Sequence, residues 1–596
     1  MKVHSFHIPV LGLAFSIDTP IKVAHLGIDS VMSIVDDTLL EQVRKFYTEK
    51  LGQEFIPISK KATDFRAKRV TKFLNLVKQL VDEKFEQFKT SCSMEDAMRY
   101  FNGLPDHLKL KKQFEKLKET ASSAALIEFA RKYAQKGSID VNIMTKVDRV
   151  NFKGKEPLAK EYNDAHAALR GFANSDLDSS LVLSAGLNPS LYSYMSSFDD
   201  FFPDIQGRFR KKIILKVSDY RSALIQGKFL AKKGLWVSEF RIESGLNCGG
   251  HAFATDGHLM GPILEEFSQN KIELQHVLFE AYQATLKTLG KTVPYIVPQL
   301  AITAQGGVGT SSEHSFLLEH YGLNGVGWGS PFLLVPEATC VDRETREKVK
   351  SATEKDLYLS EISPLGVSFN SLKNNSKDKE KEERIKKGRP GSPCVKKHLA
   401  FDTTYSNQPL CTASSKYQRI KIKELDEKNL SVEQHRQAYQ RITEKACICT
   451  GLASPFLLAN QLDTKLSGEG VSICPGPNTA YFSQKVSLQK MIDHIYGRTN
   501  IIERTDRPHM FIKELGLYLD ELQRMLVRQT EDSSGKALKK IENFISNLKG
   551  GIGYYQKLAQ QYGKSLDPLL GHFQEALKHA KIRLERYEGE LYSIVV

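Results

Sequence analysis

Cysteine and tryptophan are scarce, at 8 and 2 residues among 596. So few cysteines in so long a chain make no disulfide framework. Long apolar runs are missing too. The longest uncharged stretches are Thr292–Ser312 and Ser179–Phe198. The first is broken by Pro294, Pro298 and three glycines, and the second by Gly186, Pro189 and many serines, so neither suits a membrane-spanning helix. The apolar segment Ile8–Ile17 faintly imitates an export signal, but Pro9 interrupts it and no A-x-A site follows. These absences predict a soluble, cytoplasmic protein with no membrane partner. The composition, 41% hydrophobic and 26% charged, is globular and excludes collagen-like or disordered chains. At roughly 150 residues per domain the length allows about four units. The net charge, 84 − 70 = +14, is modest for this length. A solvated basic face accounts for it, and nucleic acid is the less favoured partner.

The chain opens as strand, helix and strand: His7–Ala14, Ile21–Leu26 and Ser30–Val35. Alternation of this kind favours a parallel sheet. From 37 to 137 the sequence turns highly charged, with apolar residues at helical spacing in Val70–Phe88 and Leu108–Ala134, and reads as a helical insertion. Strand patterns return at Asp140–Lys146, Ser180–Ser184, Lys212–Val217, Val237–Ile242, Leu300–Ala304 and Gly325–Leu334. Eight strands with helices between the later ones fit a (β/α)8 barrel, a TIM barrel built from 1–36 and 138–345. Residues 346–393, with the charge run 377–384, read as a linker or loop. A cysteine-bearing segment (394–484) and a helical C-terminal region (485–596) follow. In the latter, Leu515, Leu519, Leu522, Met525 and Leu526 form an apolar stripe.

Two glycine-rich turns carry the strongest local signal: Gly306-Gly307-Val308-Gly309-Thr310 after the seventh strand and Gly327-Trp328-Gly329-Ser330 after the eighth. Glycine admits positive φ and close approach to an anion, and a following helix offers free N–H groups. The ordered pair predicts a phosphate site; ordinary βα turns are the simpler alternative. The pattern is not a GxGxxG dinucleotide fingerprint. After the sixth strand comes Cys248-Gly249-Gly250-His251. The glycine pair admits a flat ring, and His251 is a candidate acid, base or hydrogen-bond donor, or else a surface residue.

Gly-Gly-His after the sixth strand, Ala-Gln-Gly-Gly-Val-Gly-Thr after the seventh and Gly-Val-Gly-Trp-Gly-Ser-Pro-Phe-Leu after the eighth resemble the nitronate monooxygenase (2-nitropropane dioxygenase) family and the related FMN-dependent enoyl reductases. Ile8-Pro9-Val10-Leu11-Gly12 is similar to that family's opening strand, and Asp140-Val-Asn142 to its third. The resemblance, over about 1–36 and 140–340, implies an FMN-binding TIM barrel. It would set the phosphate on Gly306, Gly307, Gly329 and Ser330, and the ring near Gly12, Asn142, Gly249 and Gly250. His251 falls on the family's catalytic histidine. Lys216 is a flavin contact by the same analogy, or a solvated strand-end lysine. The insertion, Asn247-Cys248 and everything past about 345 depart from the family, which leaves the substrate open.

Five of the eight cysteines, Cys394, Cys411, Cys447, Cys449 and Cys474, lie between 394 and 474. Thiolates from separate loops can hold zinc or an iron–sulfur cluster, which would serve as a one-electron relay beside a flavin. No C-x2-C spacing appears, and buried small hydrophobes are the alternative. The leading expectation is an FMN-dependent oxidoreductase acting on a small molecule, with NAD(P)H or a redox protein as electron donor. The rivals are a flavin-dependent RNA-reducing enzyme and an inactive barrel serving as a binding or scaffold protein.

Overall fold

A computed structural model describes residues 2–145, 147–184, 186–245, 250, 256–529, 535–566 and 572–595. Eight parallel strands close into a barrel: β1 (Phe6–Ile8), β2 (Asp29–Ser33), β3 (Ile139–Ile143), β4 (Ser179–Leu183), β5 (Lys211–Val217), β6 (Val237–Glu243), β7 (Ala301–Gln305) and β8 (Gly325–Gly327). Each pairs with its neighbours in sequence, and β8 closes on β1 with Phe6 opposite Val326. The fold is a TIM barrel with helical additions. β1 stops six residues short of the expected Ala14, because Pro9 brings no N–H to a parallel ladder. β8 is likewise short; Pro331 starts the 3-10 turn Ser330–Leu334 instead.

The barrel interior is unusually polar. Asp140 and Asn142 share one face of β3, and Glu239, Arg241 and Glu243 share one face of β6. Arg241, fully buried, contacts Glu239 at 2.7 Å and Asp140 at 3.7 Å, and Lys2 reaches Asp29 at 2.9 Å. Val31, Val182 and Ile214 make a small apolar cluster of their own.

The insertion divides in two. Helix Phe65–Ser91 packs on helix Asp164–Ala173, and its Val70, Phe73, Leu74, Val77 and Val81 join the main core. Gly171 allows that approach: a Cβ there would lie 2.6 Å from the Val70 Cβ. Farther along, Phe85 and Phe88 belong to a second core with Tyr100, Phe101, Phe114 and Leu126.

The expected linker is ordered instead. It contains helix Arg343–Ser351, the hairpin Leu357–Ser360/Phe369–Leu372 and helix Ser376–Lys386. The charge run is compatible with a helix because its charges pair at i,i+3, Lys377 with Glu380 and Lys381 with Asp378, and Asn375 caps the first turn. The cysteine-bearing segment packs on the barrel through Leu452, Phe456 and Leu457, and the Ala14 N–H donates to the Leu452 carbonyl. Helices Met510–Gln529, Gly535–Leu566 and His572–Val595 pack together, with Leu515, Leu519, Leu522 and Leu526 buried. Among the described residues no single helix is long and apolar enough to cross a membrane.

Candidate functional site at the C-terminal mouth of the barrel

The two glycine turns lie side by side, because β7 and β8 are paired with Gln305 opposite Gly327. Gly306 and Gly307 have φ of 112° and 84°, conformations costly for any side-chain-bearing residue. The turn then enters helix Ser311–His320 through a capping box, in which the Glu313 carboxylate accepts from the Gly309 and Thr310 amides. Those two amides are thus committed to the helix itself.

A cover from the C-terminal half of the chain fixes the turns from outside. Arg507 pairs with Glu313 at 2.8 Å, donates to the Gly307 carbonyl at 2.9 Å and reaches the Asn478 side-chain oxygen at 2.9 Å. Asn478 donates to the Val308 carbonyl, and the Gly476 amide donates to the Ser330 hydroxyl at 3.0 Å. His494 donates from Nε2 to the Gly309 carbonyl at 2.8 Å while its Nδ1 accepts from the Ile501 amide. Those roles specify the neutral ring, and burial lowers its pKa accordingly. At Gly309 the glycine serves the protein: a Cβ would sit 2.6 Å from the Arg507 guanidinium. The sequence held one local sign of this cover, the turn Cys474-Pro-Gly-Pro-Asn478, which sequence reasoning attached to its cysteine alone.

The ends of β3, β5, β6 and β7 line the mouth below these turns. Lys216 forms an ion pair with Glu243 at 3.0 Å, and Gln305 donates to the same carboxylate oxygen at 2.7 Å. Lys216 is therefore an interior residue rather than a solvated strand end. Glu243 and Gln305 were not singled out from sequence, although both occupy the last position of their strand. Asn142 is buried, and among the described residues its Oδ1 has no hydrogen-bond partner, an orphaned acceptor of the kind a ligand donor satisfies. Gly12 has φ 63° and lies in the turn after β1, against Phe15 and Leu452.

Gly249 and His251 lie outside the described residues. Gly250 is described, with φ 83° and its carbonyl accepting from the Asn370 amide. Both flanks of this segment converge on Glu514. Its carboxylate accepts from the Ser244 hydroxyl at 2.7 Å and from the Met260 amide at 2.8 Å.

The expected metal centre at the cysteines finds no support. Among the described residues no group of three or more His, Cys, Asp or Glu side chains is placed to hold a metal ion. Cys447, Cys449 and Cys474 pack in the main hydrophobic core as small apolar residues. Cys394 and Cys411 form a separate cluster with Ala400 and Ala413. There the Cys411 thiol hydrogen-bonds Cys394 and lowers its pKa.

No protein-family model and no curated protein matches the chain. Among solved structures, it is similar to the enoyl reductase domain of MlnA from the macrolactin biosynthesis cluster of Bacillus amyloliquefaciens. That match has a TM-score of 0.30 and 14% identity, covering 70% of this chain and 88% of that one. It is also similar to nitroalkane oxidase from Streptomyces ansochromogenes, with a TM-score of 0.32 and 7% identity, covering 82% of this chain and 94% of the other.

Proposed function

We propose that this chain is an oxidoreductase that binds FMN at the C-terminal mouth of its barrel. The observation that carries the reading is the pair of glycine turns after β7 and β8, set beside a polar floor with an unsatisfied acceptor, Asn142 Oδ1. A phosphate at the end of the last two strands of a TIM barrel is that fold's common anion site. Backbone amides of Gly306, Gly307 and Ser330 would hold it. Asn142 would accept a hydrogen bond from the ring, and Gly12 and Gly250 would lie beside it, with open space at Gly250 for a planar group. The Lys216 ammonium, held by Glu243, would place positive charge near the ring edge.

FMN, when bound, supplies hydride or electron exchange with a substrate stacked on it. The protein's part is to hold the ring and to manage a proton, which we assign to His251 on the segment that follows β6. A small-molecule substrate and a soluble donor, NAD(P)H or a redox protein, would reach the same mouth.

An absorption spectrum and mass analysis of the released cofactor test the proposal. Flavin bands and released FMN are expected from the purified full chain. Gly307→Val, which places a branched side chain in a positive-φ turn, should lose the flavin. A colourless protein that does not take up added FMN, or a folded Gly307→Val variant that retains it, overturns the assignment.

A further inference from the structure

The segments that follow β3 and β4 bring together three side chains that the proposed flavin chemistry does not use. Asp148 follows β3, His166 lies in the first turn of helix Asp164–Ala173, and Ser190 lies at the start of the short helix Pro189–Met195. The Asp148 Oδ1 accepts from the Ala165 amide at 2.8 Å, and its Oδ2 meets His166 Nδ1 at 2.6 Å. On the other side of the ring, His166 Nε2 lies 3.3 Å from the Ser190 hydroxyl.

The hydrogen-bond roles follow from this order. Asp148, with amide donors on its carboxylate, acts as acceptor, so His166 carries its proton on Nδ1. Nε2 then presents a lone pair to the Ser190 hydroxyl. The imidazole is buried, with its side chain 3% exposed, whereas Ser190 is half-buried. The Tyr194 ring packs 5.2 Å from the imidazole and restrains it. A half-buried hydroxyl, a buried ring whose lone pair faces it and a carboxylate locking the tautomer are the parts of a serine nucleophile with its base.

We propose that Ser190, His166 and Asp148 form a second site, which transfers acyl groups from carboxylic esters. Ser190 Oγ attacks the acyl carbon as its proton passes to His166 Nε2. The C–O bond to the leaving alcohol breaks, and that alcohol takes the proton. Water, deprotonated by the same nitrogen, then releases the acid and restores Ser190. Asp148 is a positioning residue that holds the tautomer and the imidazolium.

The test is treatment of the full-length protein with a fluorophosphonate, followed by peptide mass spectrometry. Phosphonylation of Ser190 is expected, absent from Ser190→Ala and slowed about 10²-fold or more in His166→Gln. In Asp148→Asn the labelling should slow and its dependence on pH should move. The other charged groups about the pair, Arg149, Arg66 and His398 with Asp164 and Arg170 with Asp64, are unchanged in that variant. An unlabelled Ser190 in the wild-type protein overturns the proposal. So does equal labelling in a His166→Gln variant whose circular dichroism is native. If the buried variant does not fold, Asp148→Asn decides, and an unaltered rate and pH profile there overturn the proposal as well. Flavin content should be the same in Ser190→Ala as in wild type, so this test and that of the flavin site fail independently.

Discussion

The carboxylate of Glu514 accepts a hydrogen bond from the hydroxyl of Ser244 at 2.7 Å. Its other oxygen accepts from the Met260 amide, so one side chain of the C-terminal helices ties both ends of the segment that carries Gly249, Gly250 and His251. Burial pushes the Glu514 carboxyl up to about 7. A carboxyl raised in the folded state binds more protons there than in the unfolded chain between about 4.5 and 7. Stability is therefore greatest at the acid end of that window and falls as pH rises through it. The expected loss is on the order of 3 kcal/mol. Urea denaturation at pH 5 and pH 7.5 should show it in the wild type, and Glu514→Gln should abolish most of the difference.

His251→Ala should retain flavin and lose turnover by about 10²- to 10⁴-fold, the usual cost of a missing general acid or base. Flavin content and activity per bound flavin, measured on the same sample, check this. Lost flavin with unchanged turnover per remaining flavin would contradict the assignment.

Arg507→Met removes the cation from Glu313, which is 2% exposed. Leaving a buried carboxylate without its partner costs about 3–5 kcal/mol. A lower unfolding midpoint is expected, together with weaker flavin retention, since Gly307 and Asn478 lose the same anchor. Thermal unfolding and flavin release on dilution report the two effects separately.

The thiols should differ sharply in reactivity. Cys394, half-buried and with its pKa lowered by the hydrogen bond from the Cys411 thiol, should react faster than Cys340 with iodoacetamide at neutral pH. Cys340, whose pKa burial pushes up to about 12, should be protected in the folded protein. Peptide mapping after a short exposure reads both, and Cys411→Ala should slow the reaction at Cys394.

Lys396 is buried against Asp36, with His398 at 3.4 Å from the same carboxylate. These cations hold the Asp36 carboxyl well below its ordinary range, so its stabilisation is present above about pH 4 and is lost as pH falls. Lys396→Met should therefore destabilise the protein near pH 7 and flatten its acid-denaturation profile. Unfolding midpoints measured between pH 3 and 7 test both.

What was legible in the sequence depended on how local the cause was. Strands such as Lys211–Val217 and Val237–Glu243 announce themselves by short apolar runs, and the glycine turns by composition. Pro9 showed why β1 had to be short, although its effect on the strand end was overlooked. The run at 377–384 looked solvated because its charges were counted rather than paired at i,i+3. Arg507 and Glu514 were not legible, because nothing within a few residues of either indicates a partner some 190 to 270 positions away. The cysteines are a different case: a spacing of two positions, as between Cys447 and Cys449, does not by itself say whether a metal site is formed.

The long separation between Glu313 and Arg507 also sets an order of events during synthesis. The two are 194 residues apart. At about 5–20 residues per second, translation brings the arginine roughly 10–40 s after the glutamate. During that interval the Glu313 carboxylate of a nascent barrel lacks its cation beneath the glycine turns, so the mouth can be completed only once residue 507 has been made. A chain terminated before residue 507 would thus carry all eight barrel strands and both glycine turns, yet be left permanently at that unfinished stage.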